Sequence, residues 1–253
     1  MLLPDSYHPG GPAMTRRLAD MVDLRPGMRV LDLASGAGDT ALLLAAEYEV
    51  DVTGIDRSAA LIKRANRRAF DAHPANAARF VAGDAESLPF ASESFDIVIC
   101  ECAFCTFPDK TTAASEMGRV LRTGGRIGIS DMAVDAADFG YEFTGLAGWA
   151  CCIAGARTMT GYSDLLAAAG LQVQTAEAHA ETLLELLDRV EPRLLAAAIL
   201  RPPTFPVLDK AEVQKWMAVA RQAIASGSAG YCLLTAQKPE RSGISRASKR
   251  SLT

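Results

Sequence analysis

The chain has 253 residues, 26 Lys and Arg against 30 Asp and Glu for a net charge of −4, 49% hydrophobic and 22% charged residues, and six cysteines. Such a length and apolar content give one globular domain with a sizeable core and exclude a disordered chain or a disulfide-stapled miniprotein. The acidic excess argues against general nucleic-acid binding, and it is sharper in the body because the tail from Arg241 to Thr253 carries Arg241, Arg246, Lys249 and Arg250 and no acid.

Apolar runs of strand length alternate with helical patterns, the sign of a parallel sheet wrapped by helices. Met28–Leu33 is the first predicted strand, followed by a glycine-containing turn and a helix over Thr40–Tyr48. A strand at Val50–Ile55, a basic-faced helix at Ser58–Phe70 and a strand at Arg79–Ala82 come next. Phe95–Cys100 is apolar almost throughout, as expected of a strand buried on both faces. The helix Lys110–Arg122 is expected to stop at Thr123-Gly124-Gly125, where glycine takes a left-handed conformation, and Arg126–Ser130 gives the fifth strand. Beyond it lie an irregular helical stretch at Asp138–Ile153, a helix at Ser163–Ala169 and a strand at Leu171–Thr175. Two helices, Glu181–Leu200 and Asp209–Ala225, flank a proline-rich breaker at Arg201–Pro206, and Gly230–Gln237 is the last strand. The result is a single α/β domain over residues 1–240, with residues 1–25 as an N-terminal lid or helix and 138–170 and 180–228 covering an acceptor site. Residues 241–253 form a basic, disordered tail. The start MLLPDSYHPGG lacks a basic region followed by an apolar core, and no apolar run approaches the roughly 20 residues of a bilayer span, so a cytoplasmic protein with free thiols and no membrane partner is expected.

The sharpest local feature is Leu31-Asp32-Leu33-Ala34-Ser35-Gly36-Ala37-Gly38-Asp39, where the first strand turns into the first helix of the sheet. Glycines at 36 and 38 let the backbone approach a ligand, and the helix behind them presents free N–H groups. Asp56, at the end of the second strand, is placed to accept hydrogen bonds from ribose hydroxyls. The glycines alone do not separate NAD from another nucleoside cofactor.

Five segments in order do. Met28–Gly38, Val52–Asp56, Gly83–Phe90, Phe95–Cys100 and Arg119–Arg126 resemble the successive motifs of the Rossmann-like, class I S-adenosylmethionine (SAM) dependent methyltransferases. The resemblance implies a seven-stranded, mostly parallel sheet with an antiparallel last strand and SAM as cofactor. It places the methionyl end on Asp32, Ser35, Gly36, Ala37 and Gly38, the ribose on Asp56, and the adenine on Asp84 and the Ala85 N–H. Arg57 and Cys100 complete that set.

The acceptor is read from histidines and thiols. His73 lies in a polar stretch away from the strand ends, His179 follows the sixth strand and is similarly unpromising, and His8 belongs to a segment able to fold over the cofactor; no dedicated base for a hydroxyl stands out. Cys100, Cys102 and Cys105 lie at and beyond the end of the fourth strand, and Cys151 and Cys152 fall between strands five and six, so five cysteines converge on one mouth of the sheet while Cys232 fills core. Cys102 and Cys105 have C-x-x-C spacing, but a redox pair normally opens a helix in another fold and adjacent cysteines chelate zinc awkwardly, so no metal is assigned. The segments around Cys102 and Cys152 resemble those in which arsenite methyltransferases carry substrate-binding cysteines, which implies a thiolate-held trivalent arsenic acceptor aided by Cys105 or Cys151. Three alternatives stand beside it: cysteines merely lining the pocket of an organic acceptor methylated at O, C or N, walled by residues such as Phe104, Phe107 and Trp149; or a SAM-binding regulatory module without turnover; and, for assembly, either a monomer or a homodimer.

Overall fold

The strands are β1 (Arg29–Leu33), β2 (Asp51–Asp56), β3 (Ala78–Ala82), β4 (Phe95–Glu101), β5 (Leu121–Val134), β6 (Gln172–Ala178) and β7 (Ala229–Gln237). The helices are α1 (Gly11–Met21), α2 (Asp39–Tyr48), α3 (Ala59–Asp71), α4 (Lys110–Val120), α5 (Met159–Ala168), α6 (Ala180–Leu200) and α7 (Lys210–Ser226), with a short 3-10 turn at Phe104–Thr106. These elements come from a computed structural model that describes residues 8–72, 78–135, 152, 153, 155–200 and 209–240. The predicted helical stretch at 138–153 with Cys151 and Trp149, the breaker at 201–206, His73 and the tail at 241–253 lie outside the described residues, apart from Cys152 and Ile153.

The seven strands form one sheet in the order β3-β2-β1-β4-β5-β7-β6. Pairing is parallel from β3 to β5, and β7 runs antiparallel to both β5 and β6. The chain builds outward from β1 to β3, then returns to place β4 on the other side of β1. That reversal opens a crevice at the carboxyl ends of β1 and β4, where open α/β sheets bind ligands.

Residues alternate between two cores across the sheet, as the period-2 geometry of strands requires. Leu31, Leu33, Val98, Cys100, Ile127 and Ile129 pack with Met117 of α4 and Tyr162 and Leu166 of α5. Val30, Val52, Ile97, Ile99 and Leu233 pack with Leu18 of α1, Leu44 of α2, Ile62 of α3, Leu183 of α6 and Ile224 of α7. Among the described residues no helix is long and apolar enough to cross a membrane.

Several boundaries differ from the sequence reading: β5 runs from Leu121 to Val134 rather than from Arg126 to Ser130, and α5 begins at Met159 rather than Ser163. Helix α4 ends at Val120 rather than Arg122, and Gly124, at φ 75°, lies inside β5. Leu121 already pairs with Phe95, and the register shifts before Arg126 pairs with Ile97. A Cβ at Gly125 would come within 2.7 Å of Asp96 O, so the glycine pair absorbs an irregularity in the strand instead of capping the helix. Strand β6 continues to Ala178, beyond the expected Thr175, because β7 supplies partners as far as Cys232.

Candidate active site

The turn after β1 is held open by backbone conformation and by Asp56. Ala34, Gly36 and Gly38 have φ of 60°, 54° and 85°, and Ser35 N–H donates to Ile55 O at 2.9 Å. Asp56 accepts from Gly36 N–H at 2.9 Å and from Ser58 N–H at 2.8 Å, so this carboxylate fixes the loop and the start of α3. A side chain at Gly38 is blocked twice, by the left-handed backbone and by the Phe80 ring 2.6 Å from where its Cβ would stand.

Two cavities flank this loop and share Ala34 as a wall. One, of about 210 Å³, is bordered by Asp56, Arg57, Asp84, Ala85 and Phe107. The other, of about 230 Å³, is bordered by His8, Asp32, Ser35, Gly36, Glu101 and Cys102. Each is smaller than the roughly 300–1,000 Å³ of a small-molecule site, so the pair fits an elongated ligand that spans both. Arg57 Nε lies 3.6 Å from Asp84 Oδ2, and Asp84 also accepts from Glu86 N–H at 3.0 Å.

Glu101, absent from the sequence reading, organises the second cavity. Thr15 and Thr40 hydroxyls donate to its Oε2 at 2.9 and 2.6 Å, and Ser130 donates to its Oε1 at 3.2 Å. His8 Nε2 stands 3.8 Å from the same Oε2. Asp32 lies beside it with Oδ2 buried and unpartnered among the described residues, as is Ser35 Oγ. Burial, then the Glu101 charge, pushes the Asp32 carboxyl up to about 8. The signal in the sequence was an acid closing a strand that is apolar apart from Asp96.

The thiols are less uniform than their spacing suggested. Cys100 is fully buried on the α4 side of the sheet and lines neither cavity. Cys102 borders the Glu101 cavity, and its thiol donates to Tyr231 OH at 3.8 Å, which donates in turn to Ser130 Oγ at 2.9 Å. Burial and the nearby Asp131 push the Cys102 thiol well above its ordinary value. Cys105 is fully buried on the opposite face from Cys100, with its N–H bonded to Asp131 at 2.8 Å, while Cys152 is partly exposed and reaches Cys102 O at 3.8 Å. Cys232 is buried opposite Asp131 in the β5–β7 ladder. Asp131, also missed in the sequence, is fully buried, and burial pushes it up to about 6. Among the described residues no group of three or more His, Cys, Asp or Glu is placed to hold a metal ion.

Residues 24–165 match the family described as a methyltransferase domain. The chain belongs to the SAM-dependent methyltransferases. Over 233 residues it is 30% identical to the 27-O-demethylrifamycin SV methyltransferase of Amycolatopsis mediterranei, covering 90% of this chain and 83% of that one. An arsenite methyltransferase of Halobacterium salinarum is 36% identical over 154 residues, 59% of this chain and 38% of its own length. Among solved structures, phosphoethanolamine N-methyltransferase 2 of Haemonchus contortus, in complex with SAM, superposes with a TM-score of 0.77 at 20% identity, over 94% of this chain and 55% of that chain. This last likeness concerns the fold.

SAM, the cofactor of these methyltransferases, fits the donor set. It carries an ammonium, a carboxylate and a sulfonium at one end, cationic on balance, and neutral hydroxyls and a base at the other. The Glu101 cavity offers two buried carboxyls and the unpartnered Ser35 hydroxyl, and the Asp84 cavity offers carboxylates and backbone. Asp32, Ser35 and Glu101 could hold the charged end, and Asp56, Asp84 and Ala85 the neutral one.

Proposed function

We propose that this methyltransferase acts on a hydroxyl oxygen of an organic small molecule, with His8 accepting the proton. The observation that carries the reading is the likeness to the 27-O-demethylrifamycin SV enzyme, which extends over 90% of this chain and 83% of that one. The arsenite methyltransferase matches over 38% of its own length only, and a soft acceptor needs thiolates whereas Cys102 is held as a thiol by burial and Asp131.

Bound SAM supplies an electrophilic methyl on a sulfonium, so the protein's share is alignment, exclusion of water and removal of the hydroxyl proton. His8 borders the cavity that Cys102 also lines. Its Nε2 faces Glu101 Oε2 at 3.8 Å and Thr15 Oγ1 at 3.4 Å, and the Thr15 hydroxyl donates to Glu101, so both neighbours accept at Nε2. Nδ1 stands 3.3 Å from Pro9 O, so the ring has to turn from that carbonyl before Nδ1 takes the substrate proton. The Glu101 carboxylate behind the ring then stabilises the imidazolium that forms, the base-and-orienter arrangement of activated nucleophiles.

The test measures S-adenosylhomocysteine release with a panel of hydroxylated polyketides and phenols, and separately with arsenite plus thiol. His8→Ala is expected to keep SAM affinity and to lose on the order of 10²-fold or more in turnover. Turnover of arsenite with no hydroxylated acceptor consumed would overturn the acceptor class, and an unchanged rate in His8→Ala would remove His8 from the reaction.

A further inference from the structure

Beside the proton-accepting group stands a set of sulfurs that methyl transfer to oxygen does not use. Cys105 is the middle residue of the 3-10 turn in the core, and Cys102 and Cys152 pack against the same cluster. Cys102 and Cys152 hold φ of 50° and 60°. A left-handed backbone costs a non-glycine residue on the order of 1–2 kcal/mol, so the surrounding packing holds both sulfurs in place against that strain. Cys152 Sγ reaches Cys102 O at 3.8 Å, and the Cys105 and Cys152 thiols hydrogen-bond one another. Asp131 accepts from the Cys105 N–H at 2.8 Å.

We propose that Cys105 and Cys152 form a redox-modification site, closing to an intramolecular disulfide when a hydroperoxide oxidises the partly exposed Cys152. The Cys105 thiol donates to Cys152 and holds it below the usual thiol value, whereas burial and Asp131 push Cys102 well above it. The Cys152 thiolate attacks the hydroperoxide, forming an S–O bond and breaking O–O, and the expelled oxygen takes a proton to leave as water or an alcohol. The Cys105 sulfur then attacks the sulfenic sulfur, the S–S bond forms, the S–O bond breaks, and the Cys105 proton leaves with the hydroxyl as water. Two thiols are oxidised by two electrons and one hydroperoxide is reduced. Asp131, bonded to the Cys105 N–H, lies beside that residue.

The bond would tie the turn after Cys102 to residue 152 and remove the donor now facing Cys102 O. Cys102 lines the Glu101 cavity, so the oxidation state is expected to be read in cofactor affinity. The full chain carrying Cys151→Ser, which separates the adjacent cysteines, is treated with equimolar hydrogen peroxide, alkylated, digested and analysed by mass spectrometry. A Cys105–Cys152 cross-link reversed by dithiothreitol is expected, lost in Cys105→Ala and in Cys152→Ser and kept in Cys232→Ala. Should Cys105→Ala fail to give a native circular dichroism spectrum, Cys152→Ser alone decides the pairing. Oxidation is expected to weaken SAM binding on the order of 10-fold, restored on reduction. A cross-link through Cys102, sulfinic acid on Cys152 without any cross-link, or a SAM affinity equal in both forms would overturn the proposal.

Discussion

The two cavities that share Ala34 are built from the same kind of residue in opposite surroundings. Around the first, the Asp84 and Arg57 side chains are 41% and 68% exposed, and water screens whatever they do. Around the second, Asp32 is 2% exposed and the Glu101 side chain 3%, and hydroxyls rather than water solvate the carboxylate. Two carboxyls in one dry cavity are costly in the absence of a cation, and the cost shows in the displaced pKa of Asp32. The difference would suit the charge of the cofactor: buried carboxyls match a cationic end, and exposed carboxylates with backbone match neutral hydroxyls and a base.

The harshest way to break this comparison is Glu101→Leu. It strips the charged acceptor from Thr15, Thr40 and Ser130, all three buried, and removes the group that orients His8. Leaving those hydroxyls without an acceptor is expected to cost about 2–4 kcal/mol of stability, and SAM affinity is expected to fall about 100-fold or more. Glu101→Gln, which keeps one acceptor oxygen, is expected to lose less of both. Denaturant titration and calorimetry check this; a Leu variant that melts and binds like the parent would mean that the hydroxyl cage is incidental.

A milder probe is pH. Asp32 lies under Glu101, Asp56 and Asp39, with His8 on the same cavity wall, and its carboxyl is raised from 3.8 to about 8 in the fold. The folded state thus holds a proton that the unfolded chain releases near 4. The stability this contributes is complete below the unfolded value and is lost as pH rises through about 8; Asp131, raised to about 6, adds to the loss in the lower part of that range. Without cofactor, the protein is expected to be more stable at pH 5 than at pH 8, falling by at most about 1.4 kcal/mol per pH unit per group. Asp32→Asn is expected to flatten the slope above pH 6, where Asp131 no longer contributes. A stability that rises steadily from pH 5 to 8 would show that the Glu101 cavity is not the dry, doubly acidic site described.

These two cavities were unequally legible in the sequence. Asp56, Asp84 and the glycine turn stand out because chain reversal at a strand end leaves local marks: small residues, a positive φ, an acid after an apolar run. Buried strands β1, β2 and β4 were equally plain, since a strand covered on both faces has no polar period to confuse it. Glu101 carries one such mark, an acid closing a mostly apolar run, and Asp131 none, and neither shows its role locally. Their meaning depends on Thr15 of α1, Ser130 of β5 and Cys105 of the 3-10 turn, partners tens of residues away that only the sheet order brings together. The glycine pair at 124 and 125 misled for a related reason: a left-handed glycine ends a helix or relieves a strand, and the choice is made by Phe95 and Asp96 on the neighbouring strand.

The smallest expected effect sharpens the comparison from the exposed side. Arg57 contacts Asp84 at 3.6 Å through a side chain that is mostly in solvent, and its charge faces a cavity whose ligand end is neutral. An exposed ion pair of this kind contributes about 0–1 kcal/mol, because water competes for both partners and holding two long side chains in one geometry costs entropy. Arg57→Ala is therefore expected to move the melting temperature by no more than about a degree or two and KM for SAM by less than about threefold, with kcat unchanged. Raising salt should shrink even that difference, since screening acts on exposed pairs first. An effect of Arg57→Ala as large as that of Glu101→Leu would reverse the assignment of the two ends, because it would place the electrostatically sensitive part of the ligand beside Asp84 rather than beside Asp32.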